Sequence, residues 1–225
     1  LSVEHNRLDI GGLIKGWVQP QHQLHVALLV GQHAGIFTKV PSIDVSAYVE
    51  GLRTLPFQGG LWQSVWPDLQ DTPLTLMLRE NTYPGDRSTD ISAIGALTNL
   101  TSLSLVNWQA LRSLQPLTRL TRLTRLELSR CTQVRNLTPL KALTNLTVLC
   151  HDGKAVRNLR PLEGLTKLTT LKLSGEASIS NLRPLEGLTS LTSLTLSLGG
   201  KTRDLAPLKG LTSLTSLTLY GASAV

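Results

Sequence analysis

Few residues of this 225-residue chain have the types and spacing that chemistry needs. His22 and His25 stand three apart, a spacing at which two imidazoles can share one divalent metal. No cysteine or carboxylate cluster accompanies them, and Gln21 and Gln23 flank His22, which reads as a surface loop. A phosphate cradle needs Gly-x-x-x-x-Gly-Lys-Ser/Thr. The nearest stretch, Gly31-Gln-His-Ala-Gly35-Ile-Phe-Thr-Lys39, has the wrong spacing and lacks the Gly-Lys pair. No Gly-x-Ser-x-Gly elbow is present to raise a nucleophilic serine. His151 could be a metal or catalytic histidine, but no second ligand lies at a suitable spacing. The expectation is a chain that is not an enzyme, with no catalytic residues, metal or cofactor.

Charge is the more informative chemistry. Residues 114–225 hold 15 Lys and Arg against 6 Asp and Glu, a balance of +9, whereas residues 1–113 hold 7 against 9, a balance of −2. Along the basic half, Arg112, Arg135, Arg157 and Arg203 share one repeat position, with Ser180 interrupting the column. Stacked like charges repel, so the column carries a cost unless an acidic partner meets it. The plainer reading is a solvated rim. Arg119, Arg122 and Arg125, spaced by three, fan from the convex side toward the strand face. Phosphate contacts follow Lys and Arg density, which makes nucleic acid the alternative partner. Against it, the basic half has a single aromatic, Tyr220, and so lacks a base-stacking platform.

The elements that position these residues are written as repeats. Segments open at Ile91, Leu114, Leu137, Leu159, Leu182 and Leu205, in steps of 23, 23, 22, 23 and 23 residues. In a typical copy, Leu182-Arg-Pro-Leu185-Glu-Gly-Leu188-Thr-Ser-Leu191-Thr-Ser-Leu194-Thr-Leu196, leucine recurs every third residue and then every second. That change of period marks a 3₁₀-like stretch running into a short strand. One unit has a single apolar side and cannot bury it alone, but stacked copies can. Strands are expected near 103–105, 126–128, 149–151, 171–173, 194–196 and 217–219. Their paired leucines point inward, and the residues between them (Ser104, Glu127, Lys172, Thr195 and Thr218) point outward. The fourth strand has Leu149 but puts His151 in place of its second leucine, and this copy is one residue short. A local kink is expected there.

Each copy ends in a small polar residue before the next opening leucine: Ser113, Asn136, Asn158, Asn181 and Asp204. Such side chains accept hydrogen bonds from free backbone N–H groups at a helical start. The prolines at 116, 139, 161, 184 and 207 remove an N–H that has no partner there anyway. Cys131 falls on an inward position and Cys150 on an outward one, so their side chains diverge and a disulfide is not expected. Free thiols fit a reducing, cytoplasmic compartment.

Residues 1–90 are less regular. Eight of the nine aromatic residues lie before Leu114, which implies a core of different shape. Traces of the repeat frame survive at Leu1-x-Val3-x-x-Asn6-x-Leu8 and at Leu76-x-Leu78-x-x-Asn81-x-Tyr83, with Leu28-x-Val30 and Leu55-x-Phe57 between them. The segment reads as degenerate repeats with longer loops; the competing reading is a separate small α/β domain. No apolar run approaches the ~18 residues of a membrane helix, and no signal peptide precedes the repeats. A chain that starts at Leu1 reads as an excised piece, monomeric in isolation.

The Leu-x-x-Leu-x-x-Leu-x-Leu frame resembles the leucine-rich repeat, and Pro-Leu-x-x-Leu-Thr-x-Leu-Thr-x-Leu resembles its bacterial, internalin-like subclass. The resemblance covers residues 91–225 strongly. It implies an α/β fold, a right-handed solenoid (a horseshoe) with a parallel sheet on its concave face. The family's asparagine after the strand is replaced here by Trp108, Cys131, Glu176 and Gly199, which implies a looser hydrogen-bond ladder. The stretch from Leu128 to Leu140 is similar to the repeats trailing actinobacterial NACHT-type signalling NTPases, where repeats are implied to sense a ligand. The resulting expectation is a non-catalytic, ligand-sensing protein-interaction module of a larger cytoplasmic signalling protein. Its partner, a protein with an acidic surface, would meet Arg125, Glu127, Lys172, Thr195 and Tyr220 on the concave face. The arginine column would border that contact. The alternatives are a nucleic-acid-binding module and a secreted internalin-like adhesin. In the adhesin, Asn99, Asn136 and Asn145 would be glycosylation acceptors in a eukaryote.

Overall fold

A computed structural model describes residues 2–4, 7–9, 43–44, 73–79, 91, 94–95, 97–153, 156–175, 179–200, 202 and 204–221. Its centre is an eight-stranded sheet. The strands are β3 (Ile43–Asp44), β4 (Leu74–Arg79), β5 (Leu100–Val106), β6 (Arg125–Ser129), β7 (Val148–His151), β8 (Thr170–Leu173), β9 (Ser193–Ser197) and β10 (Ser216–Tyr220). They lie side by side in chain order, and every pair is parallel. Parallel neighbours need a crossover. Here the rest of each repeat supplies it, through 3₁₀ turns at Gln115–Arg119, Thr138–Ala142, Arg160–Leu162, Arg183–Leu185 and Ala206–Leu208.

The leucine frame lies in register from strand to strand. Leu76, Leu103, Leu126, Leu149, Leu171, Leu194 and Leu217 form one row of partners. From Leu76 to Leu194 every member of that row is 0% exposed. Burial of this kind, at ~1.5–3 kcal/mol per leucine, drives the fold, with chain entropy cancelling most of it. Leu217 points the same way yet stays 49% exposed, because among the described residues no repeat lies beyond β10 to cover it.

The capping column works as the sequence implies. Ser113, Asn136, Asn158, Asn181 and Asp204 each accept a hydrogen bond from the backbone N–H two residues on, at 3.2, 2.9, 3.0, 3.1 and 2.9 Å. The sequence did not reveal a second ladder, built from threonine. Thr124, Thr147, Thr169, Thr192 and Thr215 each donate their hydroxyl to the carbonyl of the corresponding threonine one repeat earlier, beginning with Thr101, at 3.0–3.1 Å. Each also donates its backbone N–H to that same oxygen. This ladder ties repeats together at the start of each strand, at the other end from the post-strand position of the missing asparagine. Thr147→Val should therefore cost about 0.5–1 kcal/mol, the net worth of one such bond. Urea unfolding with no measurable shift would show that the ladder contributes nothing to stability.

Two details depart from the sequence reading. Ser2–Glu4 (β1) pairs antiparallel with Arg7–Asp9 (β2), so the first segment is a hairpin and not a strand-plus-asparagine repeat. Only His5 and Asn6 separate the two strands, a link that closes a hairpin but is far too short for a parallel crossover. The kink expected at His151 is also absent from the sheet, because β7 pairs in register with both neighbours through that residue. The missing residue is taken from the loop after β7, where Leu149 precedes the opening leucine by ten residues instead of the eleven between Leu126 and Leu137. Leu76-x-Leu78 does join the sheet in the expected register. Leu28-x-Val30 and Leu55-x-Phe57 lie outside the described residues.

Candidate functional site

Strand alternation places three rows of side chains on the outer face of the sheet. The first includes Thr75, Ser102, Arg125, Val148, Thr170, Ser193 and Ser216. The second is Met77, Ser104, Glu127, Cys150, Lys172, Thr195 and Thr218. The third includes Val106, Ser129, Ser197 and Tyr220. The face is thus mostly Ser and Thr, with long or charged side chains at a few places. Four of the five expected anchors hold positions of different character. Lys172 is exposed, Thr195 is half-buried, and Tyr220 is 56% exposed at the β10 edge. Arg125 is not a free cation, because its guanidinium pairs with Glu127, two residues along the same face. At the surface such a pair adds little stability, but it aligns two side chains in one plane. The structure adds Met77, 55% exposed at the opposite end of the second row. The Leu76-x-Leu78 frame already placed Met77 outward, and that signal was not followed.

Between Glu127 and Lys172 sits Cys150, partnered with both across the sheet. Burial raises its thiol pKa from the ordinary value, and the Glu127 carboxylate adds to the rise against the lowering effects of Arg125 and Lys172. The thiol is therefore protonated at neutral pH and a poor nucleophile. Neither cysteine is in a disulfide, and Cys131 is buried at the ladder position after β6. Its sulfur lies 3.6 Å from the Leu105 carbonyl oxygen, a weak stand-in for the missing asparagine bond.

His151 fills a leucine slot at 2% exposure. Its Nδ1 lies 3.3 Å from the Leu128 carbonyl oxygen and its Nε2 3.2 Å from that of Val134. A neutral ring has one N–H and donates to one of these at a time. This histidine packs and tethers. Among the described residues, no three His, Cys, Asp or Glu side chains converge as a metal set would. Trp108, in another asparagine position, is 3% exposed, and its indole N–H has no acceptor.

On the lateral edge, Arg112, Arg135 and Arg157 are all exposed; Arg203 lies outside the described residues, as do His22, His25, Lys39 and Glu176. Sequence reasoning missed two further exposed arginines near this edge, Arg160 and Arg183, one residue after their opening leucines. No helix among the described residues is long and apolar enough to cross a membrane.

No family model matches the chain, and no curated protein matches it. Solved structures do. Internalin C2 of Listeria monocytogenes is similar at 31% identity with a TM-score of 0.55, over 66% of this chain and 68% of that one. An internalin F from the same organism is similar at 28% identity with a TM-score of 0.53, over 67% of this chain and 42% of that one. The shared feature is the stacked-repeat sheet itself.

Proposed function

Because this chain belongs to the bacterial leucine-rich repeat family of the internalin type, we propose that it is a non-catalytic protein-recognition module that docks its partner on the outer sheet face. The observation that carries this reading is an open polar sheet with exposed Met77 at one end and exposed Tyr220 at the other. Ser and Thr between them hydrogen-bond adaptably but supply little binding energy. Arg125, Glu127, Lys172, Thr195 and Tyr220 are therefore the contact residues, with the long side chains and the tyrosine as anchors. The basic half favours an acidic protein surface over nucleic acid, since no aromatic platform accompanies the charge.

We assign the module to the sensing region of a larger cytoplasmic signalling protein, on the unbridged thiols of Cys131 and Cys150 and the NACHT-like stretch from Leu128 to Leu140. The internalin likeness favours a second reading, an adhesin that recognises a partner outside the cell. Fractionation of the producing organism with thiol labelling separates the two. Reducible thiols in the cytosolic fraction support the sensor, and recovery from the medium or cell surface supports the adhesin.

Charge reversal tests the border of the site. With Arg135, Arg157 and Arg203 all changed to Glu, association with the native partner should slow, and its dependence on salt should flatten. The fold should persist, because the described members of the column are exposed. Unchanged association and unchanged salt dependence in stopped-flow would reduce the column to a solvated rim.

A further inference from the structure

We infer that the lateral edge of the array, where each post-strand loop enters the next 3₁₀ turn, docks an acidic α-helix of the partner. The inference rests on the protein-recognition reading and names the element recognised. Five exposed arginines carry it: Arg112, Arg135 and Arg157 before their opening leucines, and Arg160 and Arg183 just after theirs. Asn158 and Asn181 direct their side-chain oxygens to the backbone N–H groups of Arg160 and Arg183, so these caps do not engage the guanidinium groups. Glu163 and Glu186 follow Arg160 and Arg183 by three residues, yet among the described residues none of the five arginines is in an ion pair. Beside Arg160 the surface dips into a hollow of about 540 Å³, lined by Thr138, Lys141, Asn158 and Glu163 among others. The edge is thus a row of unengaged planar forks, the geometry that grips carboxylates in pairs.

Pitch decides which acidic element fits. Adjacent strands of a sheet stand ~4.8 Å apart, and the strands here pair in one-to-one register; the same step carried to the adjoining loops sets the five arginines on four successive repeats, Arg157 and Arg160 sharing one. An α-helix that presents one carboxylate per turn repeats every ~5.4 Å. Over the three steps from Arg112 to Arg183 the two drift apart by ~1.8 Å, which flexible arginine side chains absorb. An extended acidic peptide presents alternate residues ~6.6 Å apart and slips by ~5.4 Å over the same distance, more than one arginine. The phosphates of a duplex strand advance ~3.4 Å each along the axis and slip by more than one position in the other direction. The helix is the match. It would lie along the stacking axis with Glu or Asp at i, i+4 and i+7 facing the strip.

The test uses the full chain and a synthetic alanine-based peptide of about 20 residues, long enough to be helical in water. It carries Glu once per turn on one face, with helicity verified by circular dichroism. Comparison ligands are the same composition interrupted by proline and a duplex DNA of similar length. The helical peptide should bind at least tenfold tighter than the proline-broken one in fluorescence anisotropy. Arg160→Glu with Arg183→Glu should weaken it at least tenfold with an unchanged circular dichroism spectrum of the chain, while Lys167→Ala, an exposed charge just before β8, should leave it unaltered. Equal binding of helical and broken peptides would overturn the proposal, leaving charge alone as the cause. Tighter binding of the duplex would overturn it in favour of nucleic acid. Loss of binding on Lys172→Ala or Tyr220→Ala but not in the arginine variants would sink the strip while leaving recognition by the sheet face standing.

Discussion

Truncating Leu171 or Leu194 to alanine should lower the free energy of unfolding by about 2–5 kcal/mol, the range for a packed interior leucine that leaves a cavity. Both side chains are 0% exposed, and both sit between equivalent leucines of the adjoining strands. The hole therefore opens in the apolar contact between a repeat and its neighbours. Thr195, the next residue along β9, faces the other side of the sheet and is half-buried. Thr195→Ala should stay within about half a kcal/mol. Equal losses at Leu194 and Thr195 in urea unfolding would mean that the two faces of the sheet have been assigned the wrong way round.

Gly175→Ala should cost about 2–4 kcal/mol, through left-handed strain and overpacking together. Gly175 has a φ of +119°, a conformation that side chains rarely adopt. A Cβ there would also stand 2.9 Å from the Asp152 carbonyl oxygen and 3.0 Å from that of Gly153. Both neighbours are backbone, so neither can swing aside. The matched control is Gly187, where a Cβ would meet nothing within 4 Å. Gly187→Ala should stabilise by about 0.4–1 kcal/mol, because it only reduces the freedom of the unfolded chain. Thermal and urea unfolding of the pair should move in opposite directions. A neutral Gly175→Ala would show that the post-strand turn relaxes at no cost, and with it that the turn does not fix the repeat spacing.

The same turn explains why part of the fold could not be read in advance. At the equivalent place two residues after the strand leucine, Asn107 and Arg130 adopt φ values of 67° and 57°. Asparagine visits this region readily, and its role there could have been suspected. Arginine does not, and nothing in its identity announces the turn. Arg130 is held by its neighbours, since its backbone N–H donates to the Asp152 side chain one repeat on. That interaction exists only after stacking. The threonine ladder has the same origin. Thr124 and Thr147 read as solvent-facing spacers in one repeat and become paired only when a second repeat brings a carbonyl within 3.0 Å.

Sequence by itself determined the repeat, the parallel strands, the inward leucines and the capping side chains, because each is written within one unit or by the step between units. A leucine at period three and then two has one apolar side wherever it is placed, and an asparagine two residues before a free N–H caps it without outside help. Tertiary structure decided the rest. It tied Arg125 to Glu127, half-buried Cys150 between Glu127 and Lys172 and left Leu217 half uncovered. Among the described residues, it also left the lateral arginines in no ion pair despite nearby glutamates. Residue identities name the groups available, but which of them meet is set by distances across the stack, and those distances do not exist until the repeats have closed on one another.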